Sequence, residues 1–294
     1  MTKTKLIKLM GGMGNQMFQY AFGKAIEEKT GDKVLFDVSY YEKAKKNIIK
    51  GTNHYKNGLS VVNFEINIFK NAEIKLANKI ETFFIKFSNL LGMSKKYKEK
   101  DAFSYNIEVF DNPKYNYFSG YYQNEKYFDF IRERLLKDFE LPPLKENDIY
   151  NQNLLNEINN SENPVFIHVR RGDYMGLGFS LPLEYYKKAV EYMRSKVTNP
   201  DFYVFCAEDP EYIRQSFDIG CSYKLIGEEN KTRENFYENM RLMKACKHGI
   251  LANSSYSWWA AWLNEYKYKI IIAPSPWLGE SDKIICDDWV KIDI

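Results

Sequence analysis

No stretch of this chain holds the roughly 18 consecutive apolar residues that a membrane-spanning helix requires. Its first residues, Met1-Thr2-Lys3-Thr4-Lys5, lead into a short apolar run that ends in glycines, which is the pattern of neither a signal peptide nor an anchor. Three histidines occur, His54, His168 and His248, at no metal-ligand spacing. Four cysteines, Cys206, Cys221, Cys246 and Cys286, lack paired spacing and read as free thiols of a reducing cytoplasm, excluding a zinc site or disulfide frame. There is no Asp-x-Asp; Asp287-Asp288 reads as surface beside Trp289. A divalent metal is therefore not expected. Lys and Arg total 42 against 39 Asp and Glu, so the net charge of +3 is too small for a general nucleic-acid binder.

What is present is an ordinary globular composition, 45% hydrophobic and 28% charged. At about 150 residues per domain the 294-residue chain accommodates two. The lysines at 95, 96, 98 and 100 read first as a solvated loop or helix face and second as a membrane or phosphate patch. The amphipathic, aromatic stretch Ile80 to Leu91 reads first as a buried helix and second as one resting on a membrane surface.

The chain opens with a strand over Leu6–Met10, the glycine loop Gly11-Gly12-Met13-Gly14-Asn15, and a helix from Gln16 to about Lys29 with Phe18, Ala21, Phe22, Ala25 and Ile26 on one face. Thr30-Gly31-Asp32 stops it, and Lys33–Asp37 is the next strand: a βαβ unit. Helices are expected to dominate from Ser39 to Tyr117. A strand follows over Tyr117–Gln123, then a helix from about Glu125 to Phe139 and a break at Leu141-Pro142-Pro143. The second half alternates more regularly. Strands are expected over Val165–Val169, Phe202–Phe205, Tyr223–Ile226, Gly249–Ala252 and Lys269–Ile272, with helices over Leu183–Lys196, from Asp209-Pro210, over Asn235–Cys246 and over Ser255–Leu263. Short apolar strands between helices imply parallel sheets covered on both faces. The fold class is α/β: two Rossmann-like domains, 1–150 and 151–294, facing each other, with the C-terminal segment free to pack back on the first. In such sheets ligands sit beyond the carboxyl ends of the strands.

Three strand ends carry the polar residues. The glycine loop lets backbone approach a ligand ahead of a helix N-terminus, and reads equally well as a tight structural turn. Met17 stands where a nicotinamide fingerprint needs its third glycine, and no Gly-Lys-Ser/Thr marks a P-loop. His168-Val169-Arg170-Arg171-Gly172-Asp173 ends a buried strand with charges that need partners. Arginine suits bidentate phosphate recognition; an internal ion pair holding the loop is the alternative, and one Arg could serve each purpose. Asn253-Ser254-Ser255 precedes a helix, as N-caps or as hydroxyls for a phosphate. Trp258, Trp259 and Trp262 read as core rather than as a sugar platform, and His248 as a satisfied core or loop histidine.

Gly11-Gly12-Met13-Gly14-Asn15-Gln16-Met17-Phe18-Gln19-Tyr20-Ala21, His168-Val169-Arg170-Arg171-Gly172-Asp173-Tyr174 and Asn253-Ser254-Ser255-Tyr256-Ser257-Trp258-Trp259, in that order, resemble the α-1,2-fucosyltransferases of glycosyltransferase family 11, particularly the bacterial ones. Gly120-Tyr121-Tyr122-Gln123 and Leu242-Met243-Lys244-Ala245-Cys246 support the resemblance, which spans almost the whole chain. It implies a GT-B fold, a GDP-L-fucose donor without cofactor or metal, and inverting transfer to the 2-hydroxyl of a terminal β-galactoside. By resemblance Arg170, with Arg171, neutralises the diphosphate and His168 lies near the nucleoside. Asn253, Ser254 and Ser255 hold the diphosphate, while Gly12, Gly14 and Asn15 face the fucose or the acceptor. Asn239 occupies a position often acidic, so guanine recognition falls to it or to Glu238. Phe205-Cys206-Ala207-Glu208-Asp209 departs from the family's Phe-Ser-Asp-Asp. Asp173 is expected either as the general base or as a residue orienting the arginines; the diphosphate or Glu208 would take the proton in the second case. The expected setting is cytoplasmic surface-glycan synthesis, such as O-antigen, with at most peripheral contact at the inner face of the membrane. Another GDP-deoxyhexose donor and a non-catalytic glycan- or nucleotide-binding protein are the competing readings.

Overall fold

The computed structural model describes residues 3–46, 63–227, 229–230 and 235–294, of which 43–46 and 173 are described by their backbone. His54 lies outside the described residues. Two compact units divide at the paired prolines, Met1–Pro142 and Pro143–Ile294. The division falls ahead of the 150/151 boundary drawn from the sequence, so the helix that begins at Ile149 goes whole with the second unit.

In the first unit β1 (Thr4–Lys8), α1 (Met13–Thr30) and β2 (Lys33–Asp37) form the expected βαβ unit, β1 and β2 pairing in parallel. The face of α1 carrying Phe18, Ala21, Phe22, Ala25 and Ile26 is wholly buried. After α2 (Ser39–Lys46) come α3 (Lys79–Leu90), β3 (Lys95–Lys98), α4 (Glu108–Asp111) and β4 (Tyr115–Ser119). Among the described residues the sheet has four parallel strands in the order β2-β1-β4-β3. The lysine cluster at 95–98 is thus the edge strand β3, not a loop or helix face; lysines suit an edge because they discourage pairing with another chain.

The helix expected from Glu125 to Phe139 is broken into two short 3-10 turns, Glu125–Tyr127 and Asp129–Ile131, before α5 (Arg132–Asp138). Asn124 accepts the Lys126 N–H, and Phe128 between the turns leaves helical geometry at φ −143°. Tyr127 and Phe128 are fully buried there, packing edge-on against Phe22 and Phe18. Aromatic burial outweighs helix propensity at that point.

α3 corrects a second expectation. Only Ile85 of this helix is buried, against Leu6, Leu35 and Tyr117 of the sheet. Ile80, Phe83, Phe84, Phe87, Leu90 and Leu91 are exposed. A capping box between Asn78 and Glu81 fixes the start of the helix.

The second unit begins with α6 (Ile149–Asn160) and continues β5 (Pro164–His168), α7 (Gly172–Leu177), α8 (Leu183–Lys196), β6 (Asp201–Phe205), α9 (Pro210–Ser216), β7 (Lys224–Ile226), α10 (Glu238–Ala245), β8 (His248–Ile250), α11 (Ser255–Trp262), β9 (Ile271–Ser275) and β10 (Val290–Asp293). Its strands are parallel in the order β10-β9-β8-β5-β6-β7 among the described residues. The last strand, absent from the sequence reading, pairs with β9, so the C-terminal segment completes the second sheet. His248 is satisfied, its Nδ1 accepting the Ile270 N–H at 3.0 Å. Both units are α/β layers on parallel sheets, the expected class.

Candidate functional site

In the second sheet the chain runs outward from β5 through β6 to β7, then returns to lay β8 on the other side of β5. Connections leave the adjacent strands β5 and β8 in opposite directions, which opens a crevice beyond their carboxyl ends. The His168–Asp173 segment leaves β5 at this switch point, and Asn253-Ser254-Ser255 follows β8 beside it. Two motifs separated by some eighty positions are thereby neighbours.

His168 ends β5, buried, and its Nδ1 has no hydrogen-bond partner. Burial, with the positive charge of Arg170 beside it, pushes its pKa down to about 3, so the ring is neutral at physiological pH. Arg170 pairs with Glu208, which follows β6, and lies over the Tyr174 ring. Only one oxygen of Glu208 is so engaged; Oε2 is buried without a partner. Arg171 donates from Nε to Asp209 Oδ2 at 2.8 Å and stacks 3.5 Å from the centre of the Tyr212 ring. The ion pairs that hold this loop therefore run to Glu208 and Asp209. Asp173 lies in the first turn of α7, and its side chain is outside the described set.

Ser254 caps α11, its Oγ accepting the Tyr256 N–H, and Ser255 opens the helix. The Asn253 amide nitrogen donates to the Phe179 carbonyl at 2.9 Å, while its Oδ1 is buried and unpartnered. The Tyr174 hydroxyl donates to the Asn253 carbonyl at 3.2 Å, tying α7 to this turn. His168 Nδ1, Glu208 Oε2 and Asn253 Oδ1 thus all lie at the carboxyl ends of the neighbouring strands β5, β6 and β8. Buried polar atoms without partners are costly, and of the five among the described residues these three stand at adjacent strand ends while Asn116 Oδ1 and the Tyr122 hydroxyl lie in the first unit.

α10 holds the two residues considered for guanine. Glu238 is buried and accepts from Arg241 Nε at 2.5 Å. Asn239 accepts from the Asn230 amide at 2.8 Å, and Asn230 is paired reciprocally with Asn151. Both therefore have internal bonds.

The first unit has its own switch point, between β1 and β4. Gly11 takes φ +78°, a backbone that only glycine adopts readily, and its carbonyl accepts from Tyr41 and Gln16. Gly12 is the cap position of α1, with open space where a Cβ would stand, and Gly14 lies buried in the first turn. Asn15 accepts from Gln123 at 2.6 Å, joining the first turn of α1 to the loop after β4. The Met13 N–H at the start of α1 is already taken by the Glu65 carboxylate at 2.9 Å, so the protein supplies an anion of its own to this helix end.

Sequence reasoning passed over Glu99, at the carboxyl end of β3. It accepts the N–H groups of Tyr121 and Tyr122 at 2.6 and 3.0 Å. Gly120 is required beside it, because a Cβ there would stand 2.5 Å from the Glu99 side chain. Burial outweighs the two N–H groups and pushes its carboxyl up to about 7. The lone signal was a glutamate closing a lysine-rich run. Its folded pKa lies above its unfolded value, so the folded state favours the proton. That contribution is complete below about pH 4.5 and is lost as pH rises through 7. Glu99→Gln should therefore gain stability relative to wild type between pH 5 and pH 8, by about 1–3 kcal/mol. Urea unfolding of both proteins at the two pH values measures it; a pH-independent difference would contradict the assignment.

Comparison with known proteins agrees with these motifs. Residues 5–293 match the profile of Glycosyl transferase family 11. The chain is 31% identical to an alpha-1,2-colitosyltransferase of Escherichia coli, over 97% of this chain and 98% of that one. It is 28% identical to the O-antigen biosynthesis glycosyltransferase WbnK of Escherichia coli, over 97% and 99%. Among solved structures, the fucosyltransferase NodZ from Bradyrhizobium aligns with a TM-score of 0.47 at 12% identity, covering 89% of this chain and 92% of that one. With its family profile matched from end to end, this chain belongs to glycosyl transferase family 11.

Proposed function

We propose that this protein transfers L-fucose from GDP-β-L-fucose to the 2-hydroxyl of a terminal β-galactoside, inverting the anomeric centre to form an α-1,2 linkage without a metal. The observation that carries the reading is the cluster of three unpartnered buried atoms, at His168, Glu208 and Asn253, around Arg170 at the switch point of the second sheet. Arg170 and the capped start of α11 at Ser254 and Ser255 offset the charge of the departing diphosphate. Neutral His168 offers a donor or acceptor to the nucleotide at no cost in charge. Glu208, already committed to Arg170, is a poor proton acceptor, so the acceptor's proton goes to Asp173. Asp173→Asn should lower kcat by about 100-fold or more while leaving the Kd for GDP unchanged. Unaltered kcat would give the proton to the leaving diphosphate instead.

The donor sugar has a second reading, favoured by the relative named for colitose transfer. Colitose is L-fucose without its 3-hydroxyl. A site that hydrogen-bonds that hydroxyl discriminates strongly against the sugar lacking it, whereas an apolar site there discriminates weakly. Purified protein with EDTA, β-galactosides and each GDP-sugar in turn tests both. The fucose reading expects a fucosylated product with an α-1,2 linkage by NMR and a higher kcat/KM for GDP-L-fucose. The reverse preference makes the protein a colitosyltransferase, and release of neither product nor GDP rejects both.

A further inference from the structure

The amphipathic helix α3 is inside out. Its polar side and Ile85 face the sheet, while Phe83, Phe84, Phe87 and Leu90 point to solvent, Leu90 being 81% exposed. Their spacing places them on one stripe covering roughly a third of the helix circumference. The loop after the helix extends the stripe with Leu91 and Met93, the latter 74% exposed. Contiguous exposed apolar surface of this kind is unusual in a protein with nothing to bind there.

Lysine dominates the surrounding exposed charge, although Glu73 pairs with Lys75 just ahead of the helix and Lys86 pairs with buried Asp37 at 3.5 Å. From residue 75 to residue 100 every exposed charged side chain is a lysine; the two glutamates of the segment, Glu81 and Glu99, are partly buried. Lys86 of α3 and Lys96 of β3 both lie over the Tyr117 ring, 5.5 and 5.1 Å from its centre, which sets them on the helix side of the sheet. Lysines on β3 alone would be explained as protection of a sheet edge. That does not account for the aromatic stripe beside them. Aromatic and leucine side chains on one face with lysines at its flank are the combination by which a helix lies in the interface of an anionic bilayer. No helix among the described residues is long and apolar enough to cross a membrane, so the contact is with its surface.

We infer that α3 and the flanking lysines of β3 dock this protein on an anionic lipid surface, Phe83, Phe84, Phe87 and Leu90 entering the acyl boundary and Lys86, Lys95, Lys96 and Lys98 meeting phosphate headgroups. The inference stands on the first unit alone and is independent of the donor sugar. A second copy of the chain is the competing occupant; like-charged lysine borders would face each other in such a dimer, which disfavours it.

Co-sedimentation with vesicles tests the docking. Wild type should pellet with phosphatidylcholine vesicles containing about a quarter phosphatidylglycerol, and about tenfold less with pure phosphatidylcholine or at high salt. Phe83→Ser/Phe84→Ser/Leu90→Ser should remain in the supernatant with an unchanged melting temperature, because the replaced side chains are exposed. Lys95→Glu/Lys98→Glu should lose the preference for anionic vesicles. Wild type that stays in solution, or a triple-serine variant that pellets as well as wild type, would overturn the inference. So would a dimer in sedimentation velocity that the triple-serine variant dissociates, in the absence of vesicle binding.

Discussion

Arg170→Ala should lower kcat/KM for sugar transfer by about 100- to 1000-fold, the usual cost of removing one positioned donor from developing negative charge. The same substitution should also destabilise the fold, because Glu208 then keeps a buried carboxylate with no cation. Breaking a buried pair on one side costs about 3–5 kcal/mol, and the 11% exposure of the Glu208 side chain places this pair near that class. The two effects are separable. Arg170→Met/Glu208→Gln removes both charges and should recover most of the melting temperature without recovering turnover. An arginine that served only to hold the loop would predict the opposite: activity would return with stability. Steady-state kinetics beside thermal melts of the single and double variants decide the matter.

The second large effect is expected in the core. Trp258 is fully buried, donates from Nε1 to the Ile284 carbonyl at 2.8 Å, and has Trp259, Trp262 and Trp289 around it with ring centres 5.0 to 6.0 Å away. Trp258→Ala leaves a large cavity and an unpaired carbonyl, so it should cost about 3–5 kcal/mol. For a unit of this size that lowers the melting temperature by roughly 6–20 °C. Trp258→Phe keeps most of the volume and should cost about 1–3 kcal/mol, largely through the lost hydrogen bond. A sugar-stacking tryptophan would behave differently, raising KM for the acceptor with the melting temperature unchanged. The aromatic cluster of α11 is therefore a scaffold, and its consequence for function is indirect: it fixes the helix whose first turn carries Ser254 and Ser255.

The second unit was the more legible of the two because its inner strands β5, β6, β8 and β9 are buried on both sides, whereas the half-exposed edge strand β10 was not read. Such inner strands are continuous apolar runs between helices, and α8 fell on the residues expected of it. β7 and β8 are short, yet each lies within one or two residues of the apolar runs Tyr223–Ile226 and Gly249–Ala252. The first unit hid more. β3 is a run of lysines around one tyrosine, a composition shaped by a solvated edge rather than by burial, and it carried no strand pattern. α3 did have the period of an amphipathic helix, but periodicity reports that one face differs from the other, not which of them meets the protein. Tyr127 and Phe128 fit a helical pattern until their burial drew the chain into 3-10 turns.

The site followed the same division. The motif residues His168, Arg170, Asn253, Ser254 and Ser255 could be picked out because charged and hydroxyl side chains close buried strands. What sequence could not supply was which partners they would have. Glu208 and Asp209 stand at the end of β6 and reach the two arginines only through the pairing of β5 with β6. Asn151, whose amide holds Asn230 against Asn239, and the Glu65 carboxylate on the start of α1 likewise come from chain segments far away in sequence. Glu99 was silent because its perturbation comes from burial beneath the loop after β4.

A structure of the protein with bound GDP tests the central claim most directly. The account predicts the nucleotide beyond the carboxyl ends of β5 and β8, its diphosphate against Arg170 and the first turn of α11. His168 Nδ1 and Asn253 Oδ1 would each then be within hydrogen-bond distance of the nucleotide or of a water it holds. A nucleotide bound elsewhere, with those two atoms still lacking partners, would contradict it.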